Sequence, residues 1–246
     1  MADSEKKTRI AAVGDIHVRD SDKGKWADYF RAVSQEADIL VICGDLTDTG
    51  KLSEAEILVH ELKSCTIPVV AVLGNHEFER GQQKAIKHAL ENDNVHVLDG
   101  EAITIGDVGF AGIKGFGGGF GKYTLAIFGE DMIKHFVQET VEETLKLDRA
   151  LVRLDSQHEV KKKVVVMHYS PIKETVVGEP EEIFPFLGSS RMAEPIDTRQ
   201  VTVAFHGHAH LGAFQGETSK GVKVFNVSKA TLHKQGFTKG YYLFEA

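Results

Sequence analysis

Carboxylate, amide and imidazole side chains gather at five places along the chain, each at the end of an apolar run. They are Asp15 and His17 in "GDIH", Asp45 in "GDLTD", Asn75 and His76 in "GNHE", His168 in "MHYSP", and His208 and His210 in "GHAH". These are hard and borderline donors, the set that divalent and trivalent transition-metal ions take. Asp15 and His17 are two residues apart, as are His208 and His210. In extended backbone, residues i and i+2 point to one side, so each pair can present two donors together. Glycine precedes Asp15, Asp45, Asn75 and His208, which lets neighbouring backbone come close. Any one of these fragments is common by chance. Five in order, each closing an apolar run, form a joint signal for a metal site.

The runs that must position them read as buried strands: Arg9–Asp15, Asp38–Asp45, Ile67–Asn75, Lys163–Tyr169 and Val201–His208. Each is continuous in Val, Ile and Ala rather than alternating, as strands covered on both faces are. Helical patterns lie between them, in "DYFRAVSQEA" and in "SEAEILVHELK", where Ser53 and Glu56 stand at capping-box spacing. Strand–helix–strand alternation predicts an α/β fold with right-handed parallel crossovers. Later runs ("AITIGDVGFAGIKG", "GAFQGE", "VKVFNVS", "GYYLFEA") add hairpins and antiparallel pairing. No linker or repeat interrupts the 246 residues, so one domain over 1–246 is the simplest organisation. From about 125 to 154, Ile133, Val137, Val141 and Leu145 recur at helical spacing, predicting a long amphipathic helix on a sheet, with a dimer contact or flap as the alternative.

In open α/β sheets the carboxyl ends of the strands line the ligand crevice, so the five tips can converge. The ordered set "GDIH … GDLTD … GNHE … MH … GHAH" resembles the signature of calcineurin-like metallophosphoesterases, from Asp15 to His210. The resemblance implies a four-layer α/β/β/α sandwich with two mixed sheets and two divalent or trivalent ions: manganese first, with iron, zinc, cobalt or nickel as alternatives. One ion would take Asp15, His17, Asp45 and His210; the other would take Asp45, Asn75, His168 and His208, with Asp45 shared. It also implies hydrolysis of phosphate mono- or diesters by in-line attack of a metal-bridging hydroxide, with His76 as the catalytic residue that protonates the departing alkoxide or hydrogen-bonds the phosphoryl group. Cyclic-nucleotide phosphodiesterase activity, or a non-catalytic scaffold on the same fold, are the alternatives. The donor positions and His76 are all filled here, which favours an enzyme.

Other residues are open to two readings. Asp48 suits a turn or helix cap, or a carboxylate orienting a ligating histidine. Arg19, Ser190 and Arg191 can reach a substrate or simply occupy surface and loop. His206 reads as a core histidine. The glycine-rich Gly112–Gly121 stretch lacks both the Walker A and GxGxxG patterns and reads as a flexible loop at the site's rim. A formal charge of −7 argues against nucleic acid and acidic membranes, while the resemblance implies a small phosphate ester or nucleotide as partner. No run has the length of a membrane span, and the N-terminus lacks a signal-peptide core, which predicts a cytoplasmic protein. Cys43 and Cys65, the only cysteines, are expected to be reduced and buried.

Overall fold

In the computed structural model, which describes residues 7–246, all five donor-bearing runs form strands. The first half holds β1 (Arg9–Val13), α1 (Ala27–Glu36), β2 (Ile39–Cys43), α2 (Leu52–Leu62), β3 (Val69–Val72), α3 (Gln83–Leu90) and β4 (Val95–Leu98). The hairpin β5 (Ala102–Ile105) and β6 (Val108–Ile113) follows, then α4 (Asp131–Asp155) and β7 (Lys162–Met167). The last part holds α5 (Phe184–Leu187), α6 (Ala193–Thr198), β8 (Val203–His206), β9 (Gln215–Glu217), β10 (Lys223–Asn226), α7 (Lys229–Lys234) and β11 (Tyr242–Glu245).

Two mixed sheets result. One runs β11-β1-β2-β3-β4, with only β11 antiparallel to its neighbour; the other runs β5-β6-β7-β8-β10-β9, with antiparallel pairs at both edges. The period-2 alternation of strand side chains decides the layers. Phe110, Val164, Val166, Val203 and Phe205 face the first sheet and pack with Ile10, Leu40 and Val70. Their neighbours Ala111, Ile113, Val165, Met167 and Ala204 face the other way, against Leu147, Leu151 and Leu154 of α4 and Ile196 of α6. With α1 on β1 and β2, and α3 on β4, the layers are α/β/β/α. Phe205 is fully buried between the sheets, where truncation to alanine costs about 3–5 kcal/mol.

Three local expectations change. The helix around Ser53 begins one residue earlier, at Leu52, and Ser53 donates to Asp20 instead of capping. Glu54 takes the capping role, accepting from the backbone N–H groups of Thr49 and Lys51. In α4 the stripe Ile133–Val137–Val141–Leu145 is not the buried face: Ile133 and Leu145 are exposed, while Val137, Thr140, Glu143, Leu147, Ala150, Leu151 and Leu154 are buried. Steps of four residues drift roughly 40° per step around a 3.6-residue helix, so an i+4 series walks off the true face. The polar members of that face hold the glycine-rich stretch, which is packed rather than a flexible rim. Glu143 accepts from Gly115 N–H (2.6 Å), Thr140 donates to the Gly117 carbonyl, and Gly118 N–H donates to Pro185 (2.6 Å).

Candidate metal centre

Past their last residues, β1, β2 and β8 turn through backbone that side-chain-bearing residues rarely adopt. The φ angles are +58° at Asp15, +45° at His17, +49° at Asp45 and +68° at His208. Each costs on the order of 1–3 kcal/mol and persists only where surroundings enforce it. Here the tips are laced together. Asp15 N–H donates to Gly44, His17 N–H to the Asp45 carbonyl (both 3.0 Å), and His208 N–H to the Asp15 carboxylate (3.0 and 3.1 Å). Two glycines admit the approach: a Cβ at Gly74 would lie 2.1 Å from Asp45 Oδ1, and one at Gly207 would lie 2.3 Å from Asp15 Oδ2.

Asp45, 2 % exposed, stands at the centre with its two oxygens facing opposite ways. Oδ1 lies 3.3 Å from His168 Nε2 and accepts from His76 N–H at 3.0 Å; Oδ2 lies 3.8 Å from His17 Nε2 and 3.7 Å from His76 Nε2. Donor atoms of Asp15, His17 and His210 fall within 4.8 Å of one another on one side, and those of Asp45, His168 and His208 on the other. A third such group, His17, Asp45 and His76, lies between them. Asn75 joins the second side through its Oδ1, 2.9 Å from His168 Nε2.

The hydrogen bonds decide what these atoms offer. His168 Nδ1 donates to the Cys43 carbonyl (2.9 Å), so Nε2 carries a lone pair toward Asn75 Oδ1 and Asp45 Oδ1. His208 Nε2 donates to the Phe186 carbonyl (3.2 Å), which leaves Nδ1 free. His17 Nδ1 is buried without a hydrogen-bond partner. Lone pairs crowded this closely, with an orphaned imidazole nitrogen beside them, fit cations among the donors. Charge says the same. Burial, reinforced by Asp15, pushes Asp45 up to about 7. Burial is also the largest influence on Asp15, yet the His210 hydrogen bond (2.9 Å) and the nearby histidines more than offset it and leave it at about 2. Burial lowers His17 and His168 to about 4 and His208 to about 3, keeping them neutral and able to ligate.

His76 differs from its neighbours. Its Nδ1 donates to the Asp48 carbonyl at 2.5 Å, leaving Nε2 directed at the Asp45 side. Burial works against its charge, but Asp45 and the Asp48 carbonyl outweigh it and raise its pKa.

The remaining sequence candidates divide. The Asp48 side chain lies between Arg19 Nε (3.1 Å) and His17 Nδ1 (3.9 Å) and caps no helix. Arg19 thus stands beside the donors, held by Asp48. Ser190 accepts from Gly121 N–H, and Arg191 donates to the Leu125 carbonyl, so both tie loops together and are not gathered with the donors. His206 is fully buried and bonded to Thr175 and the Gly207 carbonyl, a core histidine. Sequence reasoning left Glu77 without a role. It is buried and accepts from Thr47 N–H (2.8 Å), Thr47 Oγ1 (2.7 Å) and Gly74 N–H (2.6 Å), joining the loops that carry Asp45 and Asn75. Its only signal was its place at the end of "GNHE".

Residues 8–212 match the model of the calcineurin-like phosphoesterase family. No protein of curated function matches the chain by sequence. Among solved structures, the chain is similar to the phosphopantetheinyl hydrolase of Mycobacterium tuberculosis, at 12 % identity and TM-score 0.66 over 97 % of this chain and 96 % of that one. It is also similar to the purple acid phosphatase PPD1 of yellow lupin (Lupinus luteus) seeds, at 13 % and 0.56 over 85 % of this chain and 38 % of that one. A putative 5′-nucleotidase from Staphylococcus aureus gives 14 % and 0.54, over 90 % and 48 %. Identities this low speak for the fold alone. The family match, by contrast, is one of sequence and spans every donor block from Asp15 to His210: the chain is a member of the calcineurin-like phosphoesterase family.

Proposed function

We propose that the chain is a metal-dependent hydrolase of phosphate mono- or diesters. The observation that carries this reading is Asp45, buried with its two oxygens turned to two separate donor groups. Asp15, His17, Asp45 and His210 would hold one ion, and Asp45, Asn75, His168 and His208 a second. Two ions held this way supply Lewis acidity, which activates water and offsets the negative charge of a phosphoryl group.

The protein's own residues do the rest. Cys43 and Phe186 carbonyls fix the tautomers of His168 and His208, so the correct nitrogen faces inward before any ligand arrives. Glu77 locks the Asp45 and Asn75 loops. His76, its pKa raised and its Nδ1 held by the Asp48 carbonyl, would present Nε2–H to the departing ester oxygen, so that an alcohol leaves instead of an alkoxide.

The test is elemental analysis and turnover after chelation and re-addition of Mn²⁺, with p-nitrophenyl phosphate and its bis-ester as substrates. Two ions per chain and restored turnover are expected, and the preferred ester assigns monoesterase or diesterase activity. No hydrolysis with any of Mn²⁺, Fe²⁺, Zn²⁺, Co²⁺ or Ni²⁺ would favour a scaffold that keeps the donors without the chemistry.

A further inference from the structure

On the side of Asp15, His17 and His210 the donors open into a groove of about 1030 Å³. That is the scale of sites enclosing whole small molecules, about 300–1000 Å³, and far more than one phosphoryl group needs. Its far wall is built by α7. Gly14 N–H donates to the Val227 carbonyl (2.8 Å), and Lys229 N–H donates to the Gly14 carbonyl (3.0 Å). Lys229 is thereby fixed one residue from Asp15 in space, although the two are far apart in the chain, and its side chain lines the groove.

Four Lys and Arg residues line this groove, and three are already committed. Lys25 pairs with Asp22 (2.9 Å), Arg19 with Asp48 (3.1 Å) and Lys239 with Glu36 (2.5 Å). Among the described residues Lys229 makes no ion pair; Asp22, paired with Lys25, acts on its charge only from further off. Its ammonium instead sits 4.4 Å from the centre of the Trp26 ring. Trp26 is a firm platform: the residue is buried, its backbone N–H is held by Glu61 (2.9 Å), and its ring meets Tyr29 edge-on. A cation held over an aromatic face keeps its donors free on the opposite side.

Resting on the hydrolase reading above, we propose that this groove receives the part of the substrate that is not transferred, and that Lys229 grips a second phosphoryl group there. The substrate class is then a small phosphate ester with two phosphates. Water adds to the phosphorus at the strand tips, the P–O ester bond breaks, and the ester oxygen takes the proton from His76. The alcohol keeps its other phosphate against Lys229 until release. An ammonium–phosphate contact in a partly enclosed site is one of the stronger hydrogen-bonded pairs, and its loss is worth a factor of about ten or more.

The test uses the Mn²⁺-loaded full chain and ligands whose C–P bonds resist hydrolysis. Calorimetry compares propane-1,3-diphosphonate with propylphosphonate. The diphosphonate is expected to bind at least tenfold more tightly; Lys229→Gln is expected to erase that preference and Lys229→Arg to keep most of it. Equal affinities in the wild type, or a preference that survives Lys229→Gln, would overturn the subsite. In turnover, kcat/KM for adenosine 3′,5′-bisphosphate over AMP, and for fructose 1,6-bisphosphate over fructose 6-phosphate, is expected to exceed ten and to fall toward one in Lys229→Gln. Ratios near one in the wild type would overturn the substrate class. If no ester is hydrolysed while the Lys229-dependent diphosphonate preference holds, the hydrolase reading fails and the anion subsite stands.

Discussion

Two lysines lie over aromatic rings on opposite flanks of the strand tips, and they have opposite fates. Lys114, beside His168, is 7 % exposed and surrounded by Phe116 (4.7 Å), Phe78 and Tyr169 (both 5.4 Å). Its ammonium donates to the Gly115 carbonyl (2.7 Å) and lies 3.6 Å from Glu139. Lys229, beside Asp15, is exposed over Trp26, and among the described residues it makes no ion pair, Asp22 acting on its charge only from further off. The same cation–π contact thus serves two ends. Where burial is deep and an acceptor is at hand, it fastens the glycine-rich loop beneath Tyr169, whose ring lies tilted against His208 with centroids 4.4 Å apart. Where the acceptor is missing and the groove is open, it holds a charge ready for a ligand. The Asn75, His168 and His208 flank is accordingly an aromatic wall, and the Asp15, His17 and His210 flank an open, cationic mouth.

The largest effect is expected at the residue both flanks share. Asp45→Asn should lower turnover at least about a thousandfold and reduce bound metal from two ions to one or none by elemental analysis. Retention of both ions would end the idea of a shared carboxylate. His76→Ala should cost about 10²–10⁴ in kcat with alkyl phosphates and much less with p-nitrophenyl esters, whose leaving oxygen needs no proton; equal losses on both would remove its role as acid. Asp48→Asn acts on one flank only. It should weaken one of the two ions by about 10–100-fold in a metal titration and spare the other, so equal weakening of both would show that the flanks are not separable.

Acid should destabilise the metal-free protein. Burial holds His17, His168 and His206 at about 4 and His208 at about 3, below the ordinary 6.5, so between about 6.5 and 4 the unfolded chain binds protons that the folded chain refuses. Their contribution is complete above about 6.5 and is lost as pH falls. Asp45 and Glu77, raised by burial from 3.8 and 4.5 to about 7, bind protons in the folded state over nearly all of this range and oppose the loss, while the raised His76 and His210 oppose it only near its upper end. Four groups against two leave a falling Tm from pH 6.5 to 4 in chelator; a flat or rising Tm would show that the carboxyls dominate. The smallest change bears on the lysines directly. Lys114→Met should lower stability by about 1–3 kcal/mol in urea unfolding, and Lys229→Gln by no more than about 0.5 kcal/mol. Similar costs would break the contrast between fastener and waiting charge.

Much of the site was legible before the fold. The donors are confined to strand ends, and continuous Val and Ile runs with capped or turning ends are local signals. The order of the blocks, together with the family resemblance, picked out the residues that the tips bring together. Other features were opaque because they depend on partners distant in sequence. Glu143 looks like one more charge on a helix, yet it is 1 % exposed because Gly115 and Lys146 meet it there. Ser190 and Arg191 looked able to touch a ligand, but their hydrogen bonds run to loops near residues 121 and 125.

The sequence by itself determined the strands and helices that frame the site and the chemical kinds of donor at the tips, because periodicity and residue type encode burial and reactivity locally. Only the tertiary structure decided which oxygen of Asp45 faces which histidine, which imidazole nitrogen is left free, and that Lys229 rests beside Gly14. Those are set by sheet register and by hydrogen bonds between segments more than two hundred residues apart, and no local pattern carries that information.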